Sequence, residues 1–301
     1  MQIAIEPKSF PEYEAAARES GGDVVPMSKS VTAVIWTDYA QPEALDKLLE
    51  QNPQVDWVQL PFAGVDAFSN VIKRPVRFTS AKGSYREPVA EHALTLALAL
   101  LRVIPERVRE TTWGRKFAGS LYDSNVLVFG GGGITEELLK LLAPFRSKVT
   151  VVRKRKIPLP GANKTVGFEE LNKELPNADV VILAAALTDE TKHLFNKSKF
   201  ELMKPESVLV NIARGPMIDT ADLIQALEVG TIAGAAVDVT EPEPLPDGHP
   251  LWTAKNIIIT PHTADTRAQV VRLFSDRIRE NVKAYATGSG WVGEVNPELG
   301  Y

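Results

Sequence analysis

Short apolar runs alternate with amphipathic stretches along most of the chain. Over the first ninety residues, positions 2–5, 33–36, 57–60 and 77–79 read as strands. Between them, Phe10, Tyr13 and Ala17 share one face of a helix at 11–18, and Leu45, Leu48 and Leu49 turn inward from a helix at 42–51. Pro42 suits the first turn of the latter, where a missing N–H costs nothing. A second series runs through strands at 126–129, 148–152, 180–184, 207–211, 232–237 and 256–260. Its helices are expected at 135–142, 168–174, 197–202 and 220–229. Strands alternating with helices predict parallel α/β layers. Between the two series, 88–110 reads as one long helix, apolar nearly all round from Val89 to Ile104 and so buried on more than one side. It serves either as a core helix between two domains or also as a dimer interface. A last helix at 266–286 is long enough to lead the chain back to the first domain, and the tail at 291–301 carries no strong pattern.

The second series opens on Asn125-Val126-Leu127-Val128-Phe129-Gly130-Gly131-Gly132-Gly133-Ile134-Thr135: an apolar strand, a glycine turn and the start of an amphipathic helix. Gly130 and Gly132 stand where a dinucleotide fold needs a tight turn and close approach to a pyrophosphate. The helix that follows aims its free backbone N–H groups and its positive dipole end at the phosphates. A plain flexible loop is the alternative. The third glycine of the motif is replaced by Thr135, at a position that serves close helix–strand packing.

The strand at 148–152 ends in Arg153-Lys154-Arg155-Lys156. An NAD-type site carries there a carboxylate for the ribose 2′-hydroxyl. Four cations instead suit a 2′-phosphate, which arginine grips bidentately, and this points to NADP, with NAD possible. A solvated charge run is the bland reading. Three later strands also end in polar groups: Asn211-Ile212-Ala213-Arg214, Asp238-Val239-Thr240-Glu241-Pro242-Glu243, and Thr260-Pro261-His262. Ligands of open α/β sheets bind beyond the carboxyl ends of strands. Singly, Arg214, Glu243 and His262 read as a surface ion-pair residue, a loop charge and a turn histidine. Together, behind a nucleotide motif, they match carbonyl reduction: an anion clamp, a proton donor and a group that tunes the donor.

Composition narrows the classes. The chain has 301 residues, 44% hydrophobic and 24% charged, which suggests roughly two domains. A net charge of −4 gives no electrostatic reason to expect nucleic acid or an anionic membrane as partner. With no cysteine there is no disulfide or thiolate chemistry, and four unpaired histidines give a metal site little to build on. No signal peptide or membrane-spanning run is apparent, and a cytoplasmic protein is expected.

The chain resembles the D-isomer-specific 2-hydroxyacid dehydrogenase family over essentially its whole length. The carriers are Phe62-Ala63-Gly64-Val65-Asp66, Ala90-Glu91-His92-Ala93-Leu94, the glycine turn, Leu187-Thr188-Asp189-Glu190-Thr191, Asn211-Ile212-Ala213-Arg214-Gly215, Asp238 with Glu241-Pro242-Glu243-Pro244-Leu245-Pro246, His249-Pro250-Leu251-Trp252 and Thr260-Pro261-His262. The resemblance implies two Rossmann-like, doubly wound parallel-sheet domains with a cleft between them: a substrate domain, 1–90 plus 276–301, and a dinucleotide-binding domain, 91–275. It implies that Arg214 binds the substrate carboxylate and carbonyl oxygen, that His262 is the acid/base, and that Glu243 hydrogen-bonds His262. Asp238 would contact the nicotinamide side of the cofactor, and the backbone of Ala63 and Gly64 would help hold the substrate carboxylate. Cofactor contacts are expected at Gly130, Gly132, Gly133, Ile134, Arg153, Lys154, Arg155, Thr188, Ala213 and Asp238, and a homodimer is the family expectation.

Three positions depart from the family pattern: Thr135, Arg153, and Ala184-Ala185-Ala186 where many relatives carry His-x-Pro. Arg153 is similar to the glyoxylate and hydroxypyruvate reductases that use NADPH. The expected activity is NADPH-dependent reduction of a small 2-oxo acid to the D-2-hydroxy acid. A reading of another class is a nucleotide-sensing, corepressor-like binding protein. Trp36 and Tyr39 either border the substrate or are plain core and loop aromatics.

Overall fold

The structure, a computed structural model, describes residues 1–114 and 117–298. The last three residues of the expected 276–301 segment lie outside the described residues. The chain divides into two units: Met1–Tyr85 with the return from Thr266 on, and Arg86–Asp265.

The first unit contains β1 (Gln2–Glu6), α1 (Pro11–Glu19), β2 (Asp23–Val24), β3 (Ala33–Trp36), α2 (Pro42–Gln51), β4 (Trp57–Gln59), β5 (Arg77–Thr79) and, from the return, α9 (Arg267–Thr287). Its sheet is parallel throughout, in the order β2-β1-β3-β4-β5. Val34, Trp36, Leu45, Leu49, Val58, Phe68 and Phe78 pack into one core. The returning helix α9 starts on a capping box between Thr266 and Gln269 and packs against α1. A buried polar chain ties it down. Asn281 donates to Gln59 Oε1 at 2.6 Å and to the Val292 carbonyl at 2.9 Å, while Gln59 Oε1 also accepts from Thr79 at 2.8 Å.

The second unit contains α3 (Arg86–Leu101), α4 (Ile104–Arg107), β6 (Asn125–Phe129), α5 (Gly133–Leu142), β7 (Lys148–Val152), β8 (Lys164–Val166), α6 (Leu171–Glu174), β9 (Val180–Leu183), α7 (Lys197–Phe200), β10 (Val208–Asn211), α8 (Thr220–Val229), β11 (Gly234–Val237) and β12 (Ile257–Ile259). Its seven strands are parallel, in the order β12-β11-β10-β9-β6-β7-β8. The chain moves outward from β6 through β7 and β8, then resumes on the other side of β6 with β9. This is the doubly wound dinucleotide order, and the β6/β9 boundary is its topological switch point. Both faces of the sheet are covered, so alternate residues enter different cores. Leu127, Phe129, Val181, Leu183 and Leu209 face one, and Val126, Val128, Val180, Ile182 and Val210 the other.

The expected single helix at 88–110 is interrupted. Regular helix ends at Leu101, Val103 takes a left-handed backbone (φ 56°), and a short helix resumes at Ile104. Pro105 explains the break. A continuous helix would pair the Leu101 carbonyl with the N–H of residue 105, which proline lacks. That carbonyl instead accepts from Gly119 N–H at 2.7 Å. Its burial has a simple source: α3 packs on α5, β10 and β11 within its own unit. The expected helix at 168–174 is also reduced, to a 3-10 turn followed by the single turn α6. Two edge strands, β2 and β8, were not expected; two or three residues are too few for a readable alternation.

Candidate active site

The glycine turn sits at the switch point. Gly130, at the end of β6, has φ 119°, and a Cβ there would lie 2.4 Å from the Ala184 carbonyl oxygen at the end of β9. Only glycine fits that approach. A Cβ at Gly132 would meet nothing within 4 Å, so open space lies before the first turn of α5. The N–H groups of that turn, beginning with Gly133 and Ile134, have no partner inside the helix. Thr135 is fully buried, and its hydroxyl donates to the Gly130 carbonyl at 3.0 Å. The departure from glycine is thus absorbed by one added hydrogen bond across the turn. This cradle fits a dinucleotide pyrophosphate on the structure's own geometry.

Beyond β7 the four cations separate into two kinds. Lys154 pairs with Glu190 at 2.9 Å, and Lys156 is held by Glu169 and by Glu170. Arg153 and Arg155 form no ion pair with any described residue. The Arg153 side chain lies over the turn: a Cβ at Gly131 would be 2.7 Å from its Cδ. On the β9 side, Thr188 is exposed, in a loop closed by Thr191, whose hydroxyl accepts from Thr188 N–H at 2.8 Å and donates to the Ala186 carbonyl at 2.9 Å.

The ends of β10, β11 and β12 are neighbours, and this brings the polar set together. After β10, Asn211 accepts from Ala213 N–H at 3.0 Å and donates to the Arg214 carbonyl at 2.9 Å, which fixes the turn that presents Arg214. Arg214 itself donates to the Ala213 carbonyl at 2.7 Å. Next to it, Gly215 permits backbone contact with the β11 loop: a Cβ there would fall 1.9 Å from the Thr240 carbonyl oxygen. After β12, His262 takes a left-handed backbone (φ 52°), and its N–H donates to the Asp238 carbonyl at 2.8 Å. Its Nδ1 meets Glu243 Oε1 at 2.6 Å, while Thr240 N–H donates to Glu243 Oε2 at 3.3 Å.

The charges respond to this arrangement. The His262 hydrogen bond holds the Glu243 carboxyl below its ordinary range, against partial burial and with help from Arg214. The same bond raises the His262 imidazole; burial and the Arg214 charge oppose the rise, and Asp238 adds to it. Asp238 is buried. Burial pushes its carboxyl up, but hydrogen bonds from His92, Thr260 and the Thr263 amide outweigh this and hold it low. His92 Nε2, from α3, lies 3.0 Å from Thr260 Oγ1 and 3.3 Å from Asp238 Oδ1, and Thr260 donates to Asp238 at 2.6 Å. His92, Thr260 and Gly215 thus have structural tasks beyond their place in the sequence motifs. Nothing in linear spacing shows that a helix residue meets strand ends so far along the chain.

Ala63 and Gly64 follow β4 in the first unit. Trp36 is buried in that unit's core, with Nε1 donating to the Asp38 carbonyl at 2.5 Å, and Tyr39 packs edge-on to Phe62 and Phe68. These surroundings fit the core-aromatic reading. Among the described residues no group of His, Asp or Glu could hold a metal ion, and no helix is long and apolar enough to cross a membrane.

Residues 94–264 match the family model described as D-isomer specific 2-hydroxyacid dehydrogenase, NAD binding domain. The chain belongs to this family. An uncharacterised protein of Corynebacterium melassecola is 35% identical, with all of both chains covered. The human glyoxylate reductase/hydroxypyruvate reductase is 34% identical over 77% of this chain and 74% of its own. Among solved structures, a D-isomer specific 2-hydroxyacid dehydrogenase from Xanthobacter autotrophicus Py2, in complex with NADPH and MES, superposes with a TM-score of 0.86 at 26% identity. The match covers 100% of this chain and 99% of that one. The chain is accordingly an NAD(P)-dependent oxidoreductase of the 2-hydroxyacid dehydrogenase type, built on the two parallel-sheet units described above.

Proposed function

We propose that the chain reduces a small 2-oxo acid of the glyoxylate or hydroxypyruvate type to the D-2-hydroxy acid, using NADPH in preference to NADH. The observation that carries the reductase reading is the 2.6 Å bond between His262 Nδ1 and Glu243 Oε1 beside Arg214. A bound nicotinamide cofactor supplies a hydride. His262 holds the proton that the forming alkoxide needs, on the Nε2 left open by the Glu243 bond. Glu243 fixes the ring and favours its charged form. Arg214 offers a fork for the substrate carboxylate and stabilises negative charge on the carbonyl oxygen. The Ala63 and Gly64 amides are the proposed further support of that carboxylate.

For the cofactor, Gly130, Gly132, Gly133 and Ile134 would take the pyrophosphate, Asp238 the nicotinamide side, and Arg153, Lys154 and Arg155 the 2′-phosphate, with Thr188 and Ala213 as further cofactor contacts. The preference for NADPH is supported by Arg153 and Arg155, which have no carboxylate partner among the described residues. A homodimer in the cytoplasm completes the reading. The apolar side chains exposed after α3, Ile104, Val108, Trp113, Phe117 and Tyr122, support the dimer.

Initial rates with glyoxylate and hydroxypyruvate, with NADPH and NADH side by side, test this in the wild type and in Arg153→Asp. Fast NADPH oxidation that drops in the variant is expected. Rates untouched by the variant would remove Arg153 from the cofactor site. Cofactor binding without turnover on either acid would redirect the reading to another oxo acid or to a nucleotide sensor.

A further inference from the structure

The glycine turn has a second arginine beside it. Arg86 is the first residue of α3, and a Cβ at Gly133, the first residue of α5, would lie 3.5 Å from the Arg86 Cδ and 3.8 Å from its Cβ. The stem of Arg86 therefore runs across the first turn of α5, next to the open space in front of Gly132. The N-termini of α3 and α5 converge here. Each carries a positive dipole end, where a cation is disfavoured and an anion is stabilised. Arg86 is exposed and forms no ion pair with any described residue, including Glu87 and Glu136 in those two first turns. Two helix N-termini and a guanidinium are gathered at one point, an arrangement that suits an anion.

We propose that Arg86 binds the cofactor pyrophosphate, from the side of the turn opposite Arg153. The inference rests on the cofactor reading above and extends it to a residue of α3. Arg153 leans on Gly131 and Arg86 on Gly133, so the two arginines flank the turn and meet different phosphates. The pyrophosphate is common to NADH and NADPH, whereas the 2′-phosphate belongs to NADPH alone. Arg86 thus acts on affinity for both cofactors, and Arg153 on the choice between them. A lysine at 86 keeps the charge and loses the fork, so it retains part of the effect.

The test is the dissociation constant of each cofactor, measured by calorimetry in the absence of any oxo acid, for the wild type, Arg86→Gln, Arg86→Lys and Arg153→Asp. Arg86→Gln should weaken NADPH and NADH by the same factor, about tenfold, the weight of one charge-assisted hydrogen bond. Arg86→Lys should recover part of the loss, and Arg153→Asp should weaken NADPH alone. The thermal midpoint of the free protein reports whether each variant remains folded. Wild-type binding with Arg86→Gln within twofold of it for both cofactors overturns the proposal and leaves the cofactor reading intact. A loss confined to NADPH also overturns it, by moving Arg86 to the 2′-phosphate. A wild type that binds neither cofactor removes both readings.

Discussion

His262 is set by three neighbours rather than by its own position in the sequence. Glu243 raises its imidazole, Arg214 and burial lower it, and Asp238 raises it. The charged imidazole is the proton-donating form, so reduction is expected to be fast below the raised value and to fall as pH rises through it. Glu243→Gln removes the main cause of the rise. The alkaline limb of kcat/KM for oxo-acid reduction should move to lower pH, and kcat should drop about 10²-fold as the ring loses its orienting partner. An unchanged limb would mean that Glu243 does not act through the histidine. The same pair contributes to stability with opposite signs of pH dependence. The histidine's share is present below its unfolded-state value and is lost as pH rises through the raised folded value. The glutamate's is present above its unfolded-state value and is lost as pH falls through the depressed one. Both side chains are substantially exposed, so the measurable consequence is the activity profile.

At the scale of elements, the set is assembled by strand order. Strands β10, β11 and β12 lie side by side, and each ends in one member of the polar group. Gly215 lets the first two loops touch, since its position admits no side chain against the Thr240 carbonyl. Gly215→Ala must therefore move backbone, because a methyl group has no rotamer to turn away. Chemical denaturation should show a loss of about 1–3 kcal/mol. Oxo-acid KM should rise through displaced Arg214 while the NADPH dissociation constant stays near wild type. A variant with wild-type stability and KM would show that the two loops part without consequence. The elements also explain where sequence patterning fell short. The interruption of 88–110 comes from a single missing N–H at Pro105, which hydrophobic periodicity does not register. Edge strands β2 and β8 were too short to carry a period.

For the whole molecule, two features reach beyond one element. The chain leaves the first unit at Tyr85 and returns at Thr266, and the return is held by the buried chain from Asn281 to Gln59 and Thr79. Asn281→Leu leaves the Val292 amide and one acceptor site of Gln59 unpaired. Urea unfolding should show a loss of roughly 3 kcal/mol, the cost of stranding buried polar groups. No loss would mean that water replaces the asparagine. The second feature is the apolar surface after α3, where Trp113 is 91% exposed. Light scattering should give twice the 32.9 kDa chain mass, and the double variant Val108→Asp, Trp113→Asp should give the monomer. A wild-type mass of one chain would end the dimer proposal.

The amino-acid sequence by itself determined the features that depend on local chemistry. Alternating runs set the strands and helices, because side-chain periodicity is a property of neighbouring residues. Gly130 and Gly132 marked the turn, and the four cations after β7 marked the absence of an acid there. Ordered motifs named Arg214, Glu243 and His262 before any geometry was known. Only the tertiary structure decided which strand ends are neighbours, which of the four cations are already paired, and that Thr135 closes the turn through its hydroxyl. It alone brought His92 to Thr260 and Asp238, and Arg86 to Gly133. Those contacts join residues tens to hundreds of positions apart. They exist because a doubly wound sheet places the ends of successive strands, and the helices that cover them, along one edge.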